Sequence, residues 1–259
     1  MRNAHEIPQV NSVYRLSGVF TPFTSDPATD TSPAWSHDGS RIFFSSSRSN
    51  TGVELYEKPF DIPAAETLVL SRPGTNHPMD WSRDGKYLLL WKGNPITDLW
   101  ALRSDDKTEV LIIPRQAAIA AQWPQFSPDG KWIAFQSSSL QPNAGRNEIH
   151  IHGPFEPPSV GQTSAKLSPA GGSWVRWARD GKELFYVAPD GTLMTIPMEF
   201  DSNGFKAGTP TPLFRAPMNT DTNNYPQQYA VSADGQRFLV LAAPAIDSPI
   251  KVILNWKPE

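Results

Sequence analysis

The chain has 259 residues, a net charge of −3 and no cysteine, so disulfides, thiolate nucleophiles and cysteine-held metals are excluded. A weakly acidic chain has no basic field to draw in a phosphate backbone, which removes nucleic acid as a partner class. No window approaches 18 consecutive apolar residues, so no membrane-spanning segment is expected.

Residues 1–11 read as a flexible arm without the apolar core of an intact secretory signal. Ser12–Leu16 and Val19–Phe23 read as two short strands. A pattern then recurs in which an aromatic or apolar residue is followed by Ser or Ala, any residue, Asp and Gly. Its copies are Trp35-Ser-His-Asp-Gly39, Trp81-Ser-Arg-Asp-Gly85, Phe126-Ser-Pro-Asp-Gly130, Trp177-Ala-Arg-Asp-Gly181 and Val231-Ser-Ala-Asp-Gly235. The glycines are 46, 45, 51 and 54 residues apart, close to the period of a four-stranded propeller blade. Asp-Gly is the dipeptide of two-residue hairpin turns, and each copy is followed by an apolar run.

These runs predict second strands at 41–46, 87–91, 132–136, 183–187 and 237–241, and third strands at 54–60, 98–102, 148–152, 192–196 and 251–256. Fourth strands follow at 67–70, 110–113 and 211–214, with a weaker candidate near 164–167. The expected fold is therefore all-β: one propeller domain over residues 1–259, built of four-stranded antiparallel blades. The fifth module lacks a fourth strand and the amino terminus offers one, which favours five blades closed by an amino-terminal strand. A truncated six-bladed propeller, with an incomplete ring that could drive homo-oligomer formation, is the alternative.

The stretches Asp30-Thr-Ser-Pro-Ala-Trp-Ser-His-Asp-Gly39, Gln125-Phe-Ser-Pro-Asp-Gly-Lys-Trp-Ile-Ala-Phe135 and Trp177-Ala-Arg-Asp-Gly-Lys-Glu-Leu-Phe-Tyr186 resemble the repeat of TolB-type β-propellers. The likeness extends over residues 12–256 and is nearest to the propeller that forms the carboxy-terminal half of bacterial serine/threonine protein kinases. The kinase motifs themselves are missing, so no phosphotransfer is expected. The resemblance implies a binding module and an extracytoplasmic or periplasmic setting; a chain complete as written would instead be cytoplasmic.

Alignment of the modules gives the candidate site. Four residues before the repeat aromatic stand Thr31, His77, Gln122, Ser173 and Gln227, polar in every module, where the connecting loop enters the innermost strand. They predict a polar ring at one mouth of the central channel. One residue before the aromatic stand Ala34, Asp80, Gln125, Arg176 and Ala230, which adds an acid and a base. Trp123 and Trp174, three residues before it, are either packing between blades or an aromatic platform for a ligand. The apolar residues at the aromatic position and two before it are assigned to the core, by period-two alternation.

Two function classes follow. The first is a sensor or interaction module that takes a small molecule, peptide or protein at the channel mouth, with Thr31, Gln122, Trp123, Ser173, Trp174, Arg176 and Gln227 as contacts. The second is a metal-dependent hydrolase of the esterase, lactonase or phosphotriesterase type, with His77 as base and Asp80 beside it. No contiguous catalytic motif is present. The only cofactor these residues suggest is a divalent metal, calcium or zinc, with His77, Asp30, Asn76 and Gln122 as candidate ligands, and Asn224 and Gln227 as further oxygen donors. His150 and His152, two apart on a strand, share a face but lack a third ligand, and read as ordinary blade surface.

Overall fold

The structure, a computed structural model, describes residues 22–49, 52–93, 97–114, 119–139, 147–157, 159–202, 204–215, 218, 228–241 and 251–253. The described residues are strands and turns, without helix. They fall into two compact units, Met1–Arg115 and Gln116–Glu259. The first carries β1 (Asp30–Trp35), β2 (Arg41–Ser49), β3 (Gly52–Pro59) and β4 (Thr67–Leu70), paired antiparallel in chain order. β5 (Gly74–Trp81), β6 (Tyr87–Gly93), β7 (Thr97–Arg103) and β8 (Glu109–Ile113) repeat the arrangement. A short parallel ladder, Gly52 with Gly74 and Val53 with Thr75, joins the two sets. Gly52 must be glycine, because a Cβ there would run into the Gly74 carbonyl oxygen.

The second unit holds β9 (Ile119–Phe126), β10 (Ile133–Ser139), β11 (Glu148–Glu156) and β12 (Ser159–Lys166) as one antiparallel sheet. The next comprises β13 (Ser173–Trp177), β14 (Glu183–Val187), β15 (Thr192–Asp201), β16 (Gly204–Ala207) and β17 (Thr211–Arg215). Here β15 is long enough to pair twice, with β17 through Thr192–Thr195 and with β16 through Met198–Asp201. β18 (Tyr229–Val231), β19 (Phe238–Val240) and β20 (Lys251–Ile253) complete the described strands. Residues 12–21, which would supply a closing strand, lie outside the described residues.

The repeated Asp-Gly motif builds a larger turn than the two-residue hairpin expected from the dipeptide. A two-residue mirror-image turn needs positive φ at its first central residue, and in type I′ at both, but here only the second, the glycine, has it, at 69 to 74°. The glycine N–H instead returns to the carbonyl of Ser36, Ser82, Ser127, Ala178 or Ser232, and the N–H of that residue bonds the carbonyl five positions on. The serine completes the loop. Its hydroxyl donates to the aspartate Oδ1, at 2.6 Å in Ser36–Asp38 and 2.7 Å in Ser82–Asp84, and accepts the N–H of Arg41, Tyr87, Trp132 or Arg237 at 2.9–3.0 Å. Ser-x-Asp-Gly is thus one hydrogen-bonded unit, and the fourth module, with Ala178, lacks the hydroxyl.

Cores form between successive sheets. Phe43, Leu55 and Leu70 meet Leu88, Leu90 and Leu102 in the first unit. In the second, Leu184 and Tyr186 of β14 pack with Trp132, Ile149 and Ile151, while Phe185 and Val187 on the opposite face pack with Tyr229, Phe238 and Val240. Both faces of β14 are covered, so its apolar run is continuous rather than alternating. Trp35 departs from its expected core role. It is 47% exposed and meets Phe60 edge to face at 4.8 Å.

The turn carboxylates make the fold acid-sensitive. The Ser36 hydroxyl, with the Ser40 backbone and hydroxyl, lowers Asp38 to about 2. Asp234 is lowered chiefly by the Ser232 hydroxyl; at Asp84 burial pushes upward, but the Ser82 hydroxyl and Lys86 outweigh it. A carboxylate depressed in the folded state contributes stability above its unfolded pKa and loses it as pH falls through the folded value. The urea midpoint should therefore fall steeply between about pH 4 and pH 2, and less so in Ser36→Ala. A flat midpoint over that window would show that the turns do not hold their aspartates as described.

Candidate functional site

The candidate residues lie on the inner strands β1, β5, β9 and β13, and each of these strands carries one extra residue. Thr31 faces Ser45 and Ala34 faces Phe43, so Ser32 and Pro33 together oppose Phe44. Gln122 and Gln125 face Gln136 and Ala134, and Ser173 and Arg176 face Val187 and Phe185, with the same excess of one. The first bulged residue is left-handed in all three: Ser32 at φ 53°, Trp123 at 50° and Trp174 at 57°. Such a conformation costs a non-glycine residue about 1–2 kcal/mol. The corresponding residue of β5 is Pro78, whose ring fixes φ near −65°. The bulge there shifts to Met79 and Asp80, opposite Leu89.

The bulge rearranges the faces. Unbroken alternation would place the polar residue four before the aromatic on the same face as the aromatic. With one residue added, it shares a face with the residue one before the aromatic, because the cross-strand partners, Ser45 with Phe43 and Gln136 with Ala134, share a face. Within each strand the polar position and the position one before the aromatic come to the same face. His77 and Asp80 share a face of β5, Gln122 and Gln125 one of β9, and Ser173 and Arg176 one of β13.

In the first unit His77 is held by serines. Ser45 Oγ donates to the Asn76 carbonyl at 2.9 Å and lies 3.0 Å from His77 Nδ1, with Ser32 Oγ 3.2 Å away. Ser45 has a single proton, and it is directed at Asn76, so toward the imidazole Ser45 is an acceptor. That arrangement favours the ring proton on Nδ1 and the lone pair on Nε2, although the Ser32 hydroxyl also reaches Nδ1 and carries a proton of its own. No described residue hydrogen-bonds Nε2. The Trp91 ring lies 5.5 Å from the imidazole at 36°, and burial lowers the His77 pKa, which keeps the ring neutral at pH 7. Ser32 and Ser45 were not singled out in the sequence. The signal for Ser45 is a polar residue at the end of the apolar run Ile42-Phe-Phe.

Gln136 ends the matching run Ile133-Ala-Phe in the second unit. It is fully buried, donates to Gln122 Oε1 at 3.2 Å and accepts the N–H of Trp174 at 3.1 Å. It therefore ties β9 and β10 to the left-handed residue of the next inner strand, as Ser45 ties β2 to β5. Ser173 accepts from Asn147 Nδ2 at 3.2 Å. The half-buried Arg176 donates through Nη1 to the Gln125 amide oxygen, while the Gln125 nitrogen donates to the Val175 carbonyl at 3.2 Å. Beside Arg176, the Tyr229 hydroxyl is buried with no hydrogen-bond partner among the described residues, and burial pushes its pKa up. Trp174 is 1% exposed within the core, so it offers no stacking face, whereas Trp123 is half-buried.

The remaining candidates separate. Asp30 is buried and paired with Arg48 Nη2 at 3.3 Å; Arg48 also binds Glu66 at 2.8 Å and stacks over Tyr56 at 4.1 Å. Asn76 donates to the Val53 carbonyl at 2.8 Å, and its buried Oδ1 receives no donor from the described residues. Thr31 is half-buried. Among the described residues no three His, Asp or Glu side chains gather as a metal site would require. Gln227 and Asn224 lie outside the described residues. His150 stacks on Phe135 at 5.5 Å and meets Glu148 at 3.1 Å, while His152 is buried.

Comparison with solved structures decides the fold. TolB from Acinetobacter baumannii matches 92% of this chain with a TM-score of 0.65 and 18% identity. The fold is that of a TolB-type β-propeller. The chain spans 55% of the length of that protein. A protein assigned as TolB from Agrobacterium tumefaciens matches 75% of this chain and 72% of its own, with a TM-score of 0.52 and 21% identity. The periplasmic gluconolactonase PpgL of Pseudomonas aeruginosa matches 80% and 61%, with a TM-score of 0.50 and 18% identity. No family model and no curated protein matches the chain. These likenesses carry the TolB part of the resemblance; the kinase-linked part rests on sequence motifs alone.

If Gln136 is the tie described, Gln136→Leu strands the Trp174 N–H and should cost about 1–3 kcal/mol in chemical denaturation. An unchanged midpoint would show that the tie is not formed.

Proposed function

We propose that the chain is a binding module, a sensor or interaction propeller that receives a small-molecule, peptide or protein ligand on the polar surface of its inner strands at the loop-entry ends. The observation that supports this most directly is the anchored His77. Two serines hold its Nδ1 edge and favour the tautomer with an Nε2 acceptor, burial keeps it neutral, and no described residue hydrogen-bonds Nε2. Positioned acceptors and donors of this kind, Gln122 and Arg176 among them, suit recognition. An extracytoplasmic setting belongs to the same reading. It accords with the periplasmic gluconolactonase likeness and with the lack, among the described residues, of any helix long and apolar enough to cross a membrane.

The hydrolase reading keeps one foothold, since a neutral histidine with a free Nε2 could act as a base. It needs a metal as well, and a divalent cation would have to combine His77 with donors that the described residues do not bring together.

A thermal-shift screen over small polar metabolites and short peptides, paired with turnover assays on esters, lactones and phosphotriesters before and after chelation, separates the two. A ligand at about 100 times its Kd adds about 2.7 kcal/mol, which raises the melting temperature by several degrees. The binding reading expects such a ligand, with its shift lost in His77→Ala combined with Gln122→Ala. Chelator-sensitive turnover that needs His77 would replace it with the hydrolase.

A further inference from the structure

At the turn ends of β9 and β13, opposite to their loop-entry ends, the second unit contains a cavity of about 550 Å³. That volume lies within the range of small-ligand sites. Two consecutive Asp-Gly turns form one side. They lie close together, for a Cβ on Gly181 would come within 3.5 Å of Pro128. The other side is the continuation of β15 beyond its pairing with β17, which supplies Pro197, Met198, Glu199 and Phe200. This continuation, which pairs with β16 through Met198–Asp201, is an addition to the four-stranded repeat, and in repeat architectures such additions often carry binding surfaces.

The lining is apolar inside and acidic at its rim. Met198 is 3% exposed within the core, and Phe200 is fixed between Trp132 and Trp177, each 6.0 Å away. Asp129, Asp180 and Glu199 line it with Lys182, and Lys206 Nζ lies 3.8 Å from Glu199 Oε2 between two exposed side chains. The two aspartates use Oδ1 for their own turns, Asp129 from Ser127 Oγ and Lys131 N, Asp180 from Lys182 N at 3.0 Å. No described residue hydrogen-bonds either Oδ2. The repeat thus places the carboxylates of two successive turns among the lining of one cavity, each with Oδ1 committed to its own turn.

We propose that this cavity binds an organic cation, an ammonium or guanidinium group carried on an apolar body. The body fills the space between Pro128, Pro197, Met198 and Phe200, and the charge lies between Asp129, Asp180 and Glu199. The site is separate from the polar surface around His77 and stands or falls independently of it.

Methyl-13C-methionine labelling provides a direct test, since the chain has five methionines and Met198→Leu identifies the reporter signal. Titration with phenethylammonium should move the Met198 methyl signal to saturation, while phenylacetate, with a similar body and the opposite charge, should bind at least about tenfold more weakly. Asp129→Asn with Asp180→Asn keeps the Oδ1 acceptors that close the turns and removes the charge. This variant should remain folded, with a cooperative melting transition, and lose about tenfold or more in affinity for the cation. Glu199→Gln, at an exposed position, should weaken binding in the same direction. N-acetyl-lysyl-phenylalanine amide distinguishes the sources: tighter binding than phenethylammonium assigns the cation to a partner protein's side chain, and weaker binding to a free amine. The proposal is overturned by a Met198 signal that does not saturate with the cation, by equal binding of phenylacetate, or by undiminished binding in a folded double variant.

Discussion

A left-handed residue in the middle of an inner strand is unfavourable unless it is glycine, yet Ser32, Trp123 and Trp174 all adopt that conformation at the same place in the repeat. The strain persists because the surroundings determine it. Trp174 is buried in the core by its side chain and held through its N–H by Gln136. Within each strand the added residue brings the polar position and the position one before the aromatic onto one face and leaves the apolar positions to pack between sheets. Pro78 shows the constraint from the other side. A residue that cannot take positive φ moves the bulge by one position, and His77 still ends on the same face as Asp80.

Buried polar groups are costly unless paired, so the ties at the second-strand position matter as much as the bulge. Ser45 and Gln136 occupy equivalent places and both reach the next inner strand, one through a carbonyl and an imidazole, the other through a backbone N–H and an amide. The other modules carry Trp91 and Val187 there. At one of these ties the same hydroxyl that joins two sheets also favours the His77 proton on Nδ1. Architecture and recognition chemistry are therefore coupled at a single serine.

The strand plan was readable because the repeat is written in local chemistry. Ser-x-Asp-Gly forms a self-contained turn, and the apolar runs after it became β2, β6, β10, β14 and β19 within a few residues. What escaped depends on atoms distant in sequence or on conformations that residue identity does not advertise. The dipeptide Asp-Gly pointed to a two-residue turn, whereas the serine three positions before the glycine closes a longer one. Nothing in Trp123 or Trp174 signals positive φ, so strict alternation misjudged the faces, and Trp35 proved largely exposed. β16 was not anticipated because Gly204-Phe-Lys-Ala207 falls outside the repeat. Thr31, His77, Gln122 and Ser173 occupy one register position, just before the irregularity of β1, β5, β9 and β13. Their partners, Ser45 for His77 and Gln136 for Gln122, become visible only when the strands are paired.

The claim on which the functional account rests is that His77 is a neutral imidazole with its proton on Nδ1 and its lone pair on Nε2. Long-range 1H–15N correlation spectra of histidine-labelled protein at about pH 7.5, with His77→Gln to identify the signals, report this directly. The account predicts a protonated-type Nδ1 and an unprotonated-type Nε2 that do not average, with the pattern lost in Ser45→Ala. A proton on Nε2, or averaging of the two nitrogens as in a free imidazole, would contradict it.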